Sequence, residues 1–161
     1  MSIDSVDLKI LEVLQEDAGL SAGEIGERIG LSQSPCWRRI RRLEEDGVIE
    51  KRVAILDRSK LGLNVMIFAH VKLGAHKGNS LHDFAEAIRV FPEIVECHVL
   101  MGTTDFLLRI VTKDVEAYER FFFENLAQLP MVQEVNSMIA LSKIKSTTAL
   151  PLDLVKPGSK P

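Results

Sequence analysis

The stretch of this sequence with the clearest capacity for chemistry is basic and lies between Pro35 and Leu43. Four arginines occupy five consecutive positions there, and no acidic residue separates them. An arginine side chain presents a planar fork of donors that fits phosphate oxygens and the O6 and N7 acceptors of guanine. The whole chain carries a formal charge of −3, so the local cluster, and not the total charge, indicates a nucleic-acid partner.

The arginines belong to a predicted helix over residues 33–46. At ~100° per residue, Cys36, Ile40 and Leu43 share one face and would be buried. The opposite face carries the hydroxyl of Ser34 and three of the arginines, and a helix of this length can lie in the major groove of double-stranded DNA. The DNA contacts predicted on this helix are Gln33, Ser34, Arg38, Arg39, Arg41 and Arg42.

The charges on this helix favour the same interpretation. Arg38, Arg41 and Arg42 repel one another at helical spacing, and Arg38 has no acidic residue three or four positions away. An external anion would relieve this repulsion. The alternative is a solvated face whose arginines pair with the acids at 44–46. Arg39 lies nearer the core flank, where it is expected to contact a phosphate or its own domain.

Two further helices and a wing are predicted around this segment. Asp4 can cap the first helix, and Ser21 with Glu24 forms a capping box for the second. Gly30 provides a left-handed turn before the basic helix, which completes a helix-turn-helix.

Apolar residues at 48–49 and 53–56 flank a polar turn, which predicts a small β-hairpin wing. Lys51 and Arg52 at this turn are expected to contact the DNA backbone or minor groove. A solvated turn is the alternative.

In the second half of the chain, the spacing of apolar residues changes from a helical period to strand-like alternation. Alternating apolar residues predict four strands, near 65–73, 95–101, 106–112 and 132–143. Helices follow the first and third strands, and the order β-α-β-β-α-β indicates a ferredoxin-like fold. We therefore predict an α+β protein with a winged helix-turn-helix at 1–57, a connector at 58–64, a βαββαβ domain at 65–152 and a flexible tail at 153–161.

Helices can cover only one face of such a sheet. Met66, Phe68 and His70 of the first strand would lie on the other face. The third strand would add one of two sets, Leu107 with Val111 or Leu108 with Ile110. An apolar sheet face open to water favours self-association, so we expect a homo-oligomer.

Composition argues against several other classes of protein. No apolar run approaches the ~20 residues that span a bilayer, and the first residues lack the basic and apolar stretches of a secretory signal. Cys36 and Cys97 are too few for a disulfide framework or a cysteine-based zinc site. We expect a reduced, cytoplasmic protein without membrane attachment, metal or cofactor.

Five motifs occur in order along the chain. They are D-x-x-D-L-K-I-L at 4–11, G-L-S-x-S-P-C-W-R-R-I-R-R-L-E at 30–44, D-G-V-I at 46–49, G-x-x-D at 102–105 and K-S-T-T-A-L-P-L at 145–152. In this combination the chain resembles the leucine-responsive regulatory protein family (Lrp/AsnC, the feast/famine regulators). The resemblance implies a sequence-specific transcription regulator of amino-acid metabolism or transport genes. It also implies homodimers, often assembled as homo-octamers, that bind amino acids between dimers.

The resemblance further implies an effector site at the turn between the second and third strands, at Gly102, Thr103, Thr104 and Asp105. A glycine permits close approach of a ligand to the backbone, and an aspartate can accept from an α-ammonium group. Many family members carry tyrosine near this aspartate, where this chain has Thr104 and Phe106, so no particular amino acid is implied. The alternative is an aspartate that stabilises the turn.

Two other functions fit parts of the pattern. Certain haem-biosynthesis decarboxylases resemble this architecture, and an enzyme would recruit His70, His76, His82 or His98. None of these lies at metal-ligand spacing, and no P-loop, GxGxxG or HExxH motif occurs, so packed or solvated histidines are expected. The second alternative is a nucleoid-type DNA architect of low specificity, which would cover DNA uniformly and not at discrete half-sites.

Overall fold

The computed structural model describes residues 2–74 and 80–158, and these form two compact units. Residues 2–55 and 145–158 make the N-terminal unit, and the described residues between 56 and 144 make the sheet unit. Within these ranges, no helix combines the length and the hydrophobicity of a transmembrane span.

Three helices make up most of the N-terminal unit: α1 at Ser5–Glu16, α2 at Ala22–Ile29 and α3 at Gln33–Glu45. The predicted caps are confirmed. Asp4 accepts hydrogen bonds from backbone N–H groups in the first turn of α1, and Ser21 and Glu24 cap α2 reciprocally. Gly30 has a φ of +73°, the left-handed conformation expected before α3.

The apolar faces of the three helices meet in one core. Its buried members are Ile10, Leu11, Ile25, Cys36, Ile40 and Leu43. Gly26 brings α2 close against the turn that follows, because a Cβ at this position would lie 2.3 Å from the carbonyl oxygen of Leu31. This close approach fixes the direction in which the chain enters α3.

The prediction of a β-hairpin wing is wrong, because its two apolar runs do not pair with each other. Residues 50–57 contain no strand. The backbone N–H groups of Val48 and Ile49 donate to the carbonyl oxygen of Leu43 at 2.9 and 3.1 Å. The first apolar run is thus bound to the end of α3 and not to the second run, in which Ile55 is 73% exposed.

The sheet unit has the predicted β-α-β-β-α-β order of a ferredoxin-like fold. Its strands are β1 at Val65–Leu73, β2 at Ile94–Val99, β3 at Phe106–Thr112 and β4 at Val132–Ile139. They are antiparallel in the order β2-β3-β1-β4. The helices are α4 at Ser80–Ile88 and α5 at Val115–Glu124, and a 3-10 turn at Leu126–Gln128 precedes β4.

β4 ends earlier than its apolar pattern predicts. Ile139 pairs with Ile67 of β1, and β1 begins only two residues before Ile67. Residues 140–144 would therefore face positions near or before the first residue of the partner strand. The end of β4 follows from strand register, which the residues of β4 alone do not reveal.

One face of the sheet is covered by the two helices. Ile67, Ala69 and Val71 of β1 are fully buried and share a core with Phe84 of α4 and Phe121 of α5. This confirms the prediction that Met66, Phe68 and His70 of β1 lie on the face away from the helices.

The opposite face, called the open face below, is covered by neither α4 nor α5. Leu107 and Val111 of β3 pair with His70 and Met66 of β1, so these two, and not the alternate pair, lie on it. The open face is apolar at the Met66 end and polar at the end where Lys72 lies.

Residues 145–158 belong to the N-terminal unit, whereas the sequence boundaries assigned them to the second domain and to a free tail. The Oε1 of Gln15 accepts from the backbone N–H of Leu150 at 2.6 Å, and its Nε2 donates to the carbonyl of Leu150 at 3.3 Å. Leu152 packs against the helix core, and the N–H of Gly158 donates to a backbone carbonyl ahead of α1. No local pattern encodes this contact across 135 positions.

Candidate nucleic-acid interface and effector pocket

The first half of α3 presents three polar side chains to solvent. Gln33, Ser34 and Arg38 are all exposed. Across residues 2–74 and 80–158, Arg38 makes no hydrogen bond or ion pair. Its guanidinium is therefore available to a phosphate or to the edge of a guanine, next to a hydroxyl and an amide that can also bind DNA.

Two other arginines of α3 are bound inside the unit. The side chain of Asp7 has no exposed surface. Its Oδ2 accepts from Nη2 of Arg42 at 2.6 Å, and its Oδ1 accepts from Nη1 of Arg39 at 2.8 Å. Arg39 also donates to Asp4 at 2.6 Å. These ion pairs join the start of α1 to the second half of α3.

Two groups of this network have shifted pKa values that favour their charged forms. The pKa of Asp4 is lowered, first by the backbone N–H of Asp7 and then by the hydrogen bond from Arg39. The pKa of Arg39 is raised, chiefly by its hydrogen bonds to Asp4 and Asp7. A buried carboxylate without its cations would be an uncompensated charge. The network therefore holds α3 on α1 and fixes the helix that carries Arg38.

These contacts correct the charge argument made from the sequence. Repulsion among the arginines was expected to require an external anion, but Asp7 provides an internal one for Arg39 and Arg42. The intra-domain contact expected of Arg39 is confirmed. Arg42 keeps 44% of its side chain exposed, and a phosphate contact from its remaining donors stays a prediction. Arg38 has no acidic partner among the described residues, as the sequence indicated, but both arginines that were expected to repel it are paired with carboxylates.

Arg41 follows the alternative interpretation, a solvated pair on the helix surface. Its Nε donates to Glu45 at 2.8 Å, and both side chains are more than half exposed. Its guanidinium also lies 5.4 Å from the centroid of the Trp37 ring. An exposed pair of this kind contributes about 0–1 kcal/mol, so a DNA phosphate could replace Glu45 at little cost.

Residues 50–57, where the wing was predicted, contain two cations that differ in their contacts. Arg52 donates to Glu44 at 2.8 Å and reaches the carbonyl of Ala18 at 3.5 Å, which ties the segment to α3. Lys51 is exposed and has no ion pair with any described residue. Lys51 is thus the wing cation that is free for a phosphate.

The predicted effector turn lies between β2 and β3. The Oδ2 of Asp105 accepts from the backbone N–H of Leu73 at 2.7 Å, and the N–H of Asp105 donates to the carbonyl of Val71 at 2.9 Å. Asp105 thus fastens the turn to the end of β1, as the alternative interpretation expects. Thr104 lies within 3.3 Å of Nδ1 of His70.

A depression of about 540 Å³ lies on the open face beside this turn. Its lining consists of His70, Lys72, Thr103, Thr104, Glu134, Asn136 and Met138. Of the predicted effector residues, Thr103 and Thr104 reach it, whereas Gly102 and Asp105 are not part of its lining.

Several residues of this depression were not predicted from the sequence. Lys72 could have been found, because it alternates with the buried residues of β1. Glu134 and Asn136 could not, because their position depends on the β1–β4 register.

The histidines considered for catalysis do not converge. His98 lies 3.8 Å from Glu96, His82 is exposed on α4, and His76 lies outside the described residues. In the part of the chain that the structure describes, no three histidine, cysteine or acidic side chains form a group that could hold a metal ion.

Two family models match the two units. The Lrp/AsnC ligand binding domain matches residues 66–150, and a winged helix-turn-helix DNA-binding model matches residues 3–50. The chain is 39% identical to the transcriptional regulator AzlB of Bacillus subtilis, over 94% of this chain and 96% of that protein. It is 35% identical to the glutamate uptake regulatory protein of Zymomonas mobilis, over 93% and 91%.

A solved transcriptional regulator from Neisseria meningitidis, in complex with L-Met, shares the fold with a TM-score of 0.91 and 38% identity. The match covers 94% of this chain and 98% of that one.

The helix-turn-helix unit, which matches the winged DNA-binding model, and the sheet unit, which matches the ligand-binding model, together define a ligand-binding DNA-binding protein. The chain belongs to the Lrp/AsnC family of transcription regulators. It is a regulator and not an enzyme, and the resemblance in its motifs is confirmed.

Proposed function

We propose that this regulator binds specific DNA sites through the first half of α3 and responds to an amino acid. The observation that supports DNA reading most directly is the guanidinium of Arg38. It is exposed and has no hydrogen bond or ion pair with any of the described residues. Gln33 and Ser34 lie beside it, within reach of base edges or phosphates. Arg39, Arg41, Arg42, Lys51 and Arg52 add backbone contacts from their exposed portions.

The target genes are those of amino-acid metabolism or transport, and the effector binds at the turn 102–105. Two relatives support this assignment: one is named for glutamate uptake, and the other was solved with L-Met. The exposed Thr103 and partly buried Thr104 border the depression on the open face. A ligand there changes DNA occupancy only if it binds two assembly states with different affinity.

The working form is a homodimer, assembled further as an octamer, in the cytoplasm. The apolar end of the open face supports self-association: Met66 and Phe68 of β1 and Leu107 and Val111 of β3 are only partly buried in the single chain. Two copies of α3 in a dimer would read half-sites about one helical turn apart, ~34 Å.

Footprinting on genomic DNA, with and without each of the twenty L-amino acids, tests this function. Discrete protected half-sites near amino-acid genes, with occupancy that changes on addition of at least one amino acid, are expected. Uniform coverage would support a nucleoid architect and contradict the proposal. Sharp sites that no amino acid alters would leave DNA reading intact and contradict the effector assignment.

A further inference from the structure

We propose that Trp37 is a further base-reading residue of α3 and contacts the 5-methyl group of a thymine in the major groove. This inference rests on the proposed DNA-reading function and adds an apolar contact to its polar ones. Trp37 is the single tryptophan of the chain.

Trp37 lies on the side of α3 that carries the proposed DNA contacts. It follows Gln33 by four positions and Ser34 by three, and Arg41 follows it by four. Residues at these spacings are neighbours along one side of a helix. All four are exposed. A duplex that meets the polar residues at the start of α3 would therefore meet the indole ring as well.

The indole ring does not serve to close the helix core. Trp37 is 50% exposed, and among the described residues it is not a member of the core of the N-terminal unit. The guanidinium of Arg41 lies 5.4 Å from the ring centroid, an attraction that holds the ring at the surface. A large apolar side chain left in water gains free energy when a partner covers it.

The chemistry of the indole matches thymine better than the other bases. The ring is apolar apart from its Nε1–H, which can only donate and has no acceptor within residues 2–74 and 80–158. In the major groove, thymine alone presents a methyl group, and its O4 accepts a hydrogen bond. Cytosine presents an amino donor instead, which the indole N–H cannot satisfy. Trp37 should therefore favour a T·A base pair.

Cations near the ring would bring a DNA strand to it. Arg41 and Arg52 line a depression of about 550 Å³ beside Trp37, and Arg38 is exposed at the next position of the chain. Arg41 and Arg52 are each paired with an exposed glutamate, and a phosphate can replace such a partner at little cost. Phosphate contacts position the duplex but do not read its sequence, which leaves that role to side chains such as Trp37.

Fluorescence-anisotropy titration of the full chain on a footprinted site tests the contact. Each thymine of a half-site is replaced in turn by uracil, which lacks only the 5-methyl group. One replacement should weaken binding of the wild type by about fourfold, the loss expected for one buried methyl group. Trp37→Ala should bind the thymine site about tenfold more weakly or worse, and should bind the uracil site as well as it binds the thymine site. Trp37→Phe, which keeps an apolar ring, should retain part of the methyl effect.

Phe123→Ala is the matched control, because it removes an aromatic ring that is 58% exposed on α5. It should keep the affinity and the methyl effect of the wild type. Because Trp37 is the single tryptophan, its own emission should also change when the wild type binds the footprinted site.

The outcomes separate this inference from the proposed function. A wild type that is indifferent to uracil at every thymine would overturn the thymine contact and leave DNA reading by Arg38 standing. An equal loss for Trp37→Ala on the footprinted site and on unrelated DNA would make the ring a backbone contact and would also overturn the inference. Absence of discrete footprints for the wild type would overturn both.

Discussion

The Nη2 of Arg42 donates to the fully buried carboxylate of Asp7 at 2.6 Å. A cation of the helix proposed to face DNA is therefore part of the contact between α1 and α3. Arg39 shares the same carboxylate. The basic cluster thus has two roles: Arg39 and Arg42 fix the helix in place, and Arg38 extends from it to solvent.

Asp7→Asn should destabilise the N-terminal unit by about 1–3 kcal/mol, because the amide replaces a charged acceptor of two guanidinium groups. The arginines retain access to water, which limits the loss. Urea unfolding followed by circular dichroism measures the change. Glu12→Gln removes the same charge from an exposed position of α1 and should leave the free energy of unfolding within 0.5 kcal/mol, roughly the scatter for surface substitutions. Equal stability of the two variants would show that the buried ion pairs do not hold the helices.

Gly26→Ala should disrupt the turn before α3. Its new Cβ would lie 2.3 Å from the carbonyl oxygen of Leu31, which is backbone and cannot rotate away. A loss of about 2 kcal/mol or more is expected, together with weaker DNA binding, because α3 would shift. Gly23→Ala is the matched control on the same helix: its Cβ would meet nothing closer than 3.8 Å, so stability should be unchanged or higher by up to about 1 kcal/mol. Similar melting temperatures for both variants would contradict the close approach.

Gln15→Ala should lower the free energy of unfolding by about 1 kcal/mol, because both of its hydrogen bonds to the backbone of Leu150 would be lost. Leu152→Ala should cost a similar amount through lost packing against the helix core. Leu154→Ala, at a position 80% exposed, is the control and should be neutral. If thermal melts rank Leu154→Ala with the other two, the C-terminal segment 145–158 does not stabilise the N-terminal unit as described.

Local patterns were sufficient for much of the fold. The caps at Asp4, Ser21 and Gly30 and the alternation of β1 depend on neighbouring residues, and each was predicted correctly. The prediction of the wing failed. Its two apolar runs match a hairpin pattern, but the backbone N–H groups of the first run donate to the end of α3 and not to the second run.

The candidate site likewise contains features that follow from the local sequence and features that depend on distant residues. The buried face of α3 follows from helical period, and the exposure of Arg38 follows with it. The partner of Arg42 is Asp7, 35 positions away, and the partner of Lys72 is Glu134 on another strand. Contacts of this kind depend on tertiary packing and register, so one sequence without coordinates could not provide them.

The most direct test of DNA reading by α3 is a fluorescence-anisotropy titration of Arg38→Ala on a footprinted site and on unrelated DNA. Removal of one base contact should weaken binding to the site by about tenfold to a hundredfold and weaken binding to unrelated DNA far less. The thermal midpoint should not change, because Arg38 makes no hydrogen bond or ion pair with the described residues. Arg120→Ala, at an exposed position of α5, should bind both DNAs as the wild type does. Wild-type affinity of Arg38→Ala for the footprinted site would contradict the account.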